Sequence, residues 1–177
     1  MALPSVTLFF TSLLIIEMCE ASVAVILSRG KVLLVRRRPR KGDKFFWQVG
    51  FPGGRVKRGE SCFEAAVREV EEEVGINLGE NELTGELPLM STLTTRVAVK
   101  PLLFHLDDEV EPKIDEREIE EARWVRLSPR RSLAYIPGRG VLTPAFIMDG
   151  LVVWGLTYRV LSLLFHRIGD VHDSAGS

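Results

Sequence analysis

The stretch from Gly54 to Ile76, GRVKRGESCFEAAVREVEEEVGI, constrains the fold of this chain more than any other part of it. Ser61 followed by Glu64 is a capping-box pattern, in which each side chain accepts a hydrogen bond from the other residue's backbone amide. This pattern predicts that a helix begins at Ser61. Gly75 suits the left-handed position that ends many helices, so the helix should end after Val74. The predicted helix is about four turns long.

The predicted helix has two faces of opposite character. At about 100° per residue, the side chains on one face are apolar and those on the other are acidic. The apolar face consists of Phe63, Val67, Val70 and Val74, and the acidic face consists of Glu69, Glu72 and Glu73. Carboxylates three or four residues apart repel one another, so they destabilise the helix unless a cation neutralises them. Hard carboxylate oxygens favour Mg²⁺ or Mn²⁺ as that cation.

A run of glutamates on a helix is, taken alone, typical of a solvated surface. The neighbouring residues favour a functional site instead. Glu60 precedes the helix and Arg68 lies two turns along it, where the two side chains can form an ion pair that holds the preceding loop. Phe51-Pro52-Gly53-Gly54 predicts a sharp turn at the end of a strand. Glycine at this turn allows a backbone carbonyl to approach a metal ion closely.

The spacing of these residues resembles the Nudix box, the signature of the Nudix hydrolases, at every defined position. In this chain the box reads Gly54, five residues, Glu60, seven residues, Arg68-Glu69-Val70, one residue, Glu72-Glu73, one residue and Gly75-Ile76. The resemblance implies an α/β fold, namely an α/β/α sandwich with a central mixed sheet. It also implies an Mg²⁺- or Mn²⁺-dependent enzyme that hydrolyses the diphosphate of a nucleoside diphosphate linked to another group.

The resemblance also implies roles for individual residues. The implied metal ligands and catalytic groups are Glu69, Glu72 and Glu73. One of them would assist the attacking water, and the Gly53 carbonyl would be a further metal ligand. Glu60 and Arg68 would form a structural pair. Nudix enzymes often add a catalytic carboxylate from a loop distant in sequence, for which the candidates are Glu116, Glu118, Glu120 and Glu121; we favour Glu118.

A strongly basic stretch, residues 36–44, precedes the glycine turn. Arginine side chains present a planar fork of donors that binds phosphate groups, so this stretch is expected to contact the phosphates of the substrate. The alternative is a solvated basic loop. The predicted substrate contacts are Arg36, Arg38, Arg40 and Arg55.

Three segments resemble the coenzyme A pyrophosphatase branch of the family: residues 48–54, 118–125 and 153–157. That branch also carries an Arg-x-His element before the glycine turn, where this chain has Lys44-Phe45-Phe46. Three hypotheses follow. The first is hydrolysis of coenzyme A or a related ADP derivative, and the second is an ADP-ribose or (d)NTP pyrophosphatase. The third, a non-catalytic binding module, is disfavoured because such a module has no reason to retain mutually repelling glutamates.

Apolar periodicity predicts the elements around the box. Predicted strands cover residues 22–28, 31–37, 96–106 and 119–127. Arg29-Gly30 predicts a hairpin between the first two. Pro101 predicts a bulge or an edge position, because proline donates no hydrogen bond to a neighbouring strand. Apolar residues at helical spacing predict a terminal amphipathic helix over residues 151–168.

The chain of 177 residues is long enough for one domain with its own core. We predict a Nudix domain over residues 22–169, preceded by an apolar extension over 1–21 and followed by a disordered tail over 170–177. Residues 3–16 of the extension are too short to span a bilayer, so no membrane partner is expected; a targeting signal is the alternative. Apolar surface on this segment and on the terminal helix predicts a homodimer.

Composition limits the partners further. A net charge of −1 gives no overall field that would attract nucleic acid, so the expected partner is a small molecule. Cys19 and Cys62 are expected to be reduced thiols in a cytoplasmic protein. Arginine exceeds lysine, glutamate is abundant, and amide side chains are limited to Gln48, Asn77 and Asn81. This bias is typical of thermophile proteins.

Overall fold

The computed structural model describes residues 19–38, 48–93, 95–136 and 140–174. The strands in these ranges are β1 (Ala21–Ser28), β2 (Lys31–Arg37), β3 (Val49–Gly50), β4 (Gly53–Arg55), β5 (Leu83–Glu86), β6 (Met90–Ser91), β7 (Ala98–His105), β8 (Ile119–Arg126), β9 (Arg130–Ile136), β10 (Val141–Met148) and β11 (Leu151–Trp154). The helices are α1 (Cys62–Val74) and α2 (Gly155–Ser174).

The strands form a large mixed sheet and a small antiparallel one. The large sheet has the order β3-β2-β1-β7-β5, and β4, β6 and β8 pair with β1, β7 and β2, respectively. Strands β1 and β7 are parallel, whereas β1 and β2 are antiparallel. The small sheet has the order β11-β10-β9. The predicted mixed sheet is therefore confirmed.

The first two strands form the predicted hairpin. Ser28 pairs with Lys31, so the loop consists of Arg29 and Gly30 alone. Both residues have positive φ, 46° and 74°, as a type I′ turn requires. Glycine adopts this conformation without strain, and the turn therefore sets the register of β1 against β2.

Apolar side chains cover both faces of the large sheet because consecutive residues of a strand point to opposite sides. On one face, Ala24 and Ile26 of β1 share a core with α1, which contributes Ala66, Val70 and Val74. On the other face, Val25 shares a core with α2, which contributes Val160, Leu161 and Leu164. One helix on each side of the sheet gives the predicted α/β/α sandwich.

Pro101 lies inside the sheet, whereas the sequence predicted a bulge or an edge position; the irregularity in the pairing of β7 with β5 lies between Leu83 and Gly85 of that neighbouring strand. Strand β7 pairs with β1 on one side and with β5 and β6 on the other. The Pro101 carbonyl accepts a hydrogen bond from Leu87, which lies between β5 and β6, at 2.9 Å. In a strand the nitrogen and carbonyl of one residue face the same neighbour, so the proline nitrogen faces the interruption between two short strands. No ladder hydrogen bond is lost there.

The C-terminal region differs from the prediction in two places. Residues 151–154 form β11 instead of the first turn of a helix, because they pair with β10 over Ala145–Met148. Gly155, with φ of 67°, separates this strand from the rest of α2. The helix then runs to Ser174 and so includes part of the stretch that was predicted to be a disordered tail.

The two cysteines form a disulfide, so the prediction of reduced thiols is wrong. Cys19 and Cys62 have their Cα atoms 6.2 Å apart. The Glu20 carbonyl accepts a hydrogen bond from Val56 at 3.0 Å, which brings the start of β1 beside the loop that leads into α1. This strand pairing is distant in sequence and gave no local signal. The cytoplasmic location, which was inferred partly from reduced thiols, loses that support.

Residues 3–16 lie outside the described part of the chain. Within the described residues, no helix has both the length and the apolar character needed to cross a membrane. The homodimer and the thermophile origin stay predictions.

The disulfide generates a stability prediction. It closes a loop with a sequence separation of 43 residues, for which the chain-entropy treatment gives a stabilisation of about 4 kcal/mol. Reductant should therefore lower the urea midpoint of unfolding of the wild-type protein. The Cys19→Ser/Cys62→Ser variant should match the reduced wild type and should not respond to reductant. Free thiols titrating in the unfolded, unreduced protein would contradict the disulfide.

Candidate active site

Helix α1 is held at both ends by the predicted caps. Ser61 Oγ accepts a hydrogen bond from the Glu64 amide at 3.1 Å, and a Glu64 carboxylate oxygen accepts one from the Ser61 amide at 2.7 Å. At the other end Gly75 has φ of 65° and donates to the Glu71 carbonyl at 3.0 Å. The predicted helix bounds are confirmed, and the caps orient the acidic face.

The glycine turn before α1 brings backbone and carboxylate into close contact. Gly53 has φ of 153°, and a Cβ there would lie 2.3 Å from the Ser22 carbonyl oxygen. A Cβ on Gly54 would lie 2.4 Å from the carboxyl carbon of Glu69. Real Cβ atoms do not approach other atoms so closely. Strand β4 can therefore dock against β1 only with glycine at position 53, and a side chain at position 54 would displace the Glu69 carboxylate.

Arg68 is the centre of an ion-pair network. Its guanidinium donates to Glu60 at 2.7 and 3.0 Å, to Glu69 at 2.7 Å and to Glu72 at 3.1 Å. It also donates to the Arg55 carbonyl of β4 at 3.1 Å. The hydrogen bonds from Arg68 lower the pKa of Glu60 to about 2, despite its partial burial. The structure thus brings Glu60 and Arg68 into contact and ties both to the acidic face.

Glu73 has a different environment from the other acids of the box. Its side chain is 3% exposed, and its two carboxylate oxygens accept hydrogen bonds from Arg37 Nη2 at 2.8 Å and from the Gly53 amide at 3.0 Å. Burial raises the pKa of Glu73 to about 7, although the Arg37 charge and the Gly53 amide oppose this shift. Arg37 and the Gly53 amide are therefore the groups that offset the cost of burying the Glu73 carboxylate.

One pocket, with a volume of about 500 Å³, joins most of the predicted site residues. The predicted residues that line it are Gly53, Arg55, Arg68, Glu69, Glu72 and Glu118, whereas Glu73 is not among its lining residues. Arg37 and Lys57 line it as well. The remaining lining residues are uncharged: Ala21, Val23, Gly54, Thr92, Thr95, Val97, Val99 and Leu156. The pocket therefore has an ionic side and an uncharged side.

Within the described residues, no three acidic, histidine or cysteine side chains converge as a preassembled metal cage. The carboxylates contact arginines instead: Glu69 and Glu72 contact Arg68, and Glu73 contacts Arg37. The donor set nevertheless fits Mg²⁺ or Mn²⁺. Glu69, Glu72 and Glu118 line one pocket, and carboxylate oxygens are the ligands that these ions prefer.

The predicted arginine contacts are only partly brought to this pocket. Arg55 lines it, whereas Arg40 lies outside the described residues. Arg38 is exposed, and its backbone amide donates to the Glu118 carbonyl at 2.7 Å. Arg36 contacts Glu121 and lies 3.5 Å from a Glu120 oxygen, and the structure does not bring it to this pocket.

Arg37 was not among the predicted contacts although it lines the pocket. The sequence of β2 indicated this position, because alternate side chains of a strand point to opposite faces of the sheet. Arg37 follows Leu33 and Val35 on the face that packs against α1, whereas Arg36 follows Val32 and Leu34 on the face towards α2. Combining this alternation with the acidic face of the predicted helix would have selected Arg37 over Arg36.

A sequence profile of the NUDIX domain matches residues 18–134. The chain belongs to the Nudix hydrolase family. The uncharacterized Nudix hydrolase YvcI of Bacillus subtilis is 29% identical over 147 residues, which cover 80% of this chain and 89% of that protein. Nudix hydrolase 3 of Caenorhabditis elegans is 35% identical over 85 residues, which cover 46% of this chain.

Other comparisons cover less of the related protein. The chain spans 33% of the C. elegans protein and 17% of an octanoyltransferase of Myxococcus xanthus, with which it shares 50% identity over 64 residues, 34% of this chain. The crystal structure of a MutT/nudix family protein from Enterococcus faecalis aligns with a TM-score of 0.59 at 20% identity. That alignment covers 87% of this chain and 63% of the other, and it supports the Nudix fold.

The close approach at Gly54 generates a prediction. The Gly54→Ala variant places a methyl group 2.4 Å from the Glu69 carboxyl carbon, so Glu69 or β4 must move. Overpacking of this kind costs about 1–3 kcal/mol, which urea unfolding would measure. Gly85→Ala is the matched control, since its Cβ would meet nothing closer than Leu103 Cδ1 at 3.8 Å. Equal stability of the two variants would contradict the contact.

The Glu60–Arg68 pair generates a pH prediction. The pKa of Glu60 falls from 4.5 to about 2 on folding, so its stabilisation is complete above the higher value and is lost as the pH falls towards the lower one. Glu60→Gln should destabilise the protein at about pH 6, and its deficit relative to wild type should shrink towards about pH 3. Urea unfolding at several pH values measures this deficit. A deficit that does not change with pH would contradict a charged Glu60.

Proposed function

We propose that this protein is an Mg²⁺- or Mn²⁺-dependent hydrolase that cleaves the diphosphate of a nucleoside diphosphate derivative. The observation that carries the proposal is the composition of one pocket. Two carboxylates of the Nudix box, Glu69 and Glu72, line it together with Glu118, which follows a loop distant in sequence. Arg37, Arg55 and Lys57 line the same pocket. Carboxylates that would bind a metal ion and basic side chains that would bind phosphates thus line the same pocket.

The acidic residues provide the metal ligands in this proposal. Glu69, Glu72 and Glu73, with the Gly53 carbonyl, would hold the ion, and Glu118 would complete the set or orient the attacking water. A bound Mg²⁺ or Mn²⁺ supplies charge stabilisation to the phosphoryl oxygens. Arg68 positions Glu69 and Glu72, since it contacts both while Glu60 anchors it.

The basic residues bind the diphosphate. Arg37 and Arg55 extend from β2 and β4 to the pocket, and both are exposed enough to reach a ligand. Arginine donates two parallel hydrogen bonds to a phosphate, which orients the diphosphate as well as neutralising it. Charge that develops on the phosphate oxygens during attack by water is then stabilised by groups already in place.

The substrate that we favour is coenzyme A or a related ADP derivative. Support comes from residues 48–54, 118–125 and 153–157, which resemble the coenzyme A pyrophosphatase branch. Two of these segments reach the pocket, through Gly53 and Glu118, and Leu156 of the third lines the uncharged wall. The alternative is an ADP-ribose or (d)NTP pyrophosphatase. It is favoured by a relative named CTP pyrophosphohydrolase from Escherichia coli, 40% identical over 60 residues, 34% of this chain and 43% of that protein.

A substrate panel tests the proposal. Coenzyme A, 3′-dephospho-coenzyme A, ADP-ribose and CTP would be incubated with Mn²⁺, and the products identified by mass. We expect kcat/KM to be highest for coenzyme A, because basic residues near the pocket exceed what one diphosphate needs. Loss of one charge-assisted contact to the 3′-phosphate should lower kcat/KM roughly tenfold to a hundredfold. A preference for ADP-ribose or CTP, or equal use of both coenzyme A forms, would select the alternative.

Two controls test the chemistry independently of the substrate. EDTA should abolish turnover, and added Mg²⁺ or Mn²⁺ should restore it. Glu72→Gln keeps the shape of the side chain but removes an anionic ligand, so kcat should fall roughly a hundredfold or more while the fold is retained. Full turnover in EDTA, or normal turnover by this variant, would reject the metal-dependent mechanism.

A further inference from the structure

Arg37 lines the pocket and also donates a hydrogen bond to Glu73, so the same guanidinium is within reach of a ligand and of a buried carboxylate. We infer that Arg37 blocks Glu73 from metal in the substrate-free protein and releases it when the diphosphate of a substrate binds Arg37. This inference rests on the proposed function, because it assumes that Glu73 binds metal and that the pocket binds a diphosphate. Its consequence is that metal and substrate strengthen each other's binding through Arg37.

Both carboxylate oxygens of Glu73 already accept a hydrogen bond, so a metal would have to compete with these donors. Oε1 contacts Arg37 Nη2 at 2.8 Å, and Oε2 accepts the Gly53 amide at 3.0 Å. The carboxylate is also 3% exposed, so a metal ion cannot reach it without displacing one of these partners. The Gly53 amide belongs to a backbone that is fixed between β1 and α1 by close contacts. Arg37 is therefore the partner that can leave.

Arg37 is suited to such a movement. Its side chain is 51% exposed, in contrast to that of Arg68, which is 20% exposed and contacts three carboxylates. It extends from the end of β2, and it lines the pocket in its present position. A short rotation of the guanidinium towards the pocket would exchange a carboxylate for a phosphate, which offers the same paired acceptor geometry.

If Arg37 exchanges Glu73 for a diphosphate, the binding of metal and the binding of diphosphate become thermodynamically coupled. A diphosphate that binds Arg37 removes the competitor of the metal at Glu73, and metal at Glu73 frees Arg37 for the diphosphate. Each ligand must then raise the affinity of the other by the same factor. A merely structural Arg37, which keeps Glu73 charged and correctly placed, would have the opposite effect, because its removal would weaken metal binding.

Binding of Mn²⁺, measured without turnover by the electron paramagnetic resonance signal of the free ion, separates these possibilities. The titrations use the full chain near pH 8.5, with and without α,β-methylene-ADP, a diphosphate that cannot be hydrolysed at its bridge. In Arg37→Gln we expect the substrate-free affinity for Mn²⁺ to rise about threefold to tenfold. This lies between the effect of an exposed ion pair and that of a buried charge-assisted hydrogen bond. The affinity for α,β-methylene-ADP should fall by a similar factor.

The chain offers a matched control on the same strand. Arg36→Gln also removes an arginine that contacts glutamates, Glu120 and Glu121, but on the opposite face of β2. Its affinity for Mn²⁺ should equal that of the wild type. In a Glu73→Gln background, Arg37→Gln should no longer change the affinity for Mn²⁺, because the blocked carboxylate is absent.

The outcomes are distinct. Unchanged or weaker Mn²⁺ binding in Arg37→Gln, or an equal effect with and without Glu73, overturns the inference. Loss of the extra affinity that α,β-methylene-ADP confers on Mn²⁺ in the wild type, seen in Arg37→Gln but not in Arg36→Gln, supports it. Lack of turnover across the substrate panel would reject the proposed function instead, and the Mn²⁺ titration would still report on Arg37.

Discussion

The contact of one arginine with three carboxylates is the interaction on which the candidate site depends. Arg68 joins Glu60 of the preceding loop, Glu69 and Glu72 of α1, and the backbone of β4. Its charge offsets the repulsion that glutamates at helical spacing would otherwise exert. The sequence indicated that a cation must neutralise this face and favoured a metal. In the structure an arginine of the same helix meets much of that requirement, so the helix can fold before any metal binds.

The two arginines of the site differ in their exposure and in the number of their partners. This difference indicates a structural role for Arg68 and leaves Arg37 accessible to a ligand. Arg68 is enclosed by its partners and connects three elements, so any movement would break several hydrogen bonds at once. Arg37 holds one carboxylate from the end of a strand and remains half exposed. Under the proposed function, the site would have to be stable without ligand and also accept metal and phosphate, which would require both kinds of cation. Neither kind can be replaced by lysine without loss of the forked geometry.

The sequence predicted correctly those caps and turns whose conformation depends on residues nearby in the chain. The capping box at Ser61, the left-handed Gly75 and the Arg29-Gly30 turn all occur as expected, because their hydrogen bonds join residues at most four apart. Failures arose where pairing partners are distant. Strand β11 needs β10, and the disulfide needs the pairing of β1 with β4. Arg37, which lines the pocket, was not predicted because a run of charges does not show which face of the sheet each residue occupies until the helix is placed.

The ionic side of the pocket comes mainly from one short stretch of the chain, whereas the uncharged side comes from several distant segments. The sequence therefore predicts the reaction class more directly than the substrate. The box supplies Gly54, Glu69 and Glu72 within one short stretch. The uncharged wall combines β1, the turn between β6 and β7, and the start of α2. That turn depends on a local hydrogen bond from the Val97 amide to Thr92 Oγ1 at 3.0 Å and on a positive φ of 53° at Arg96. Because these segments meet only in the folded protein, each can change without disturbing the box. Under the proposed function, the group beyond the diphosphate would therefore be selected by residues that the box does not constrain.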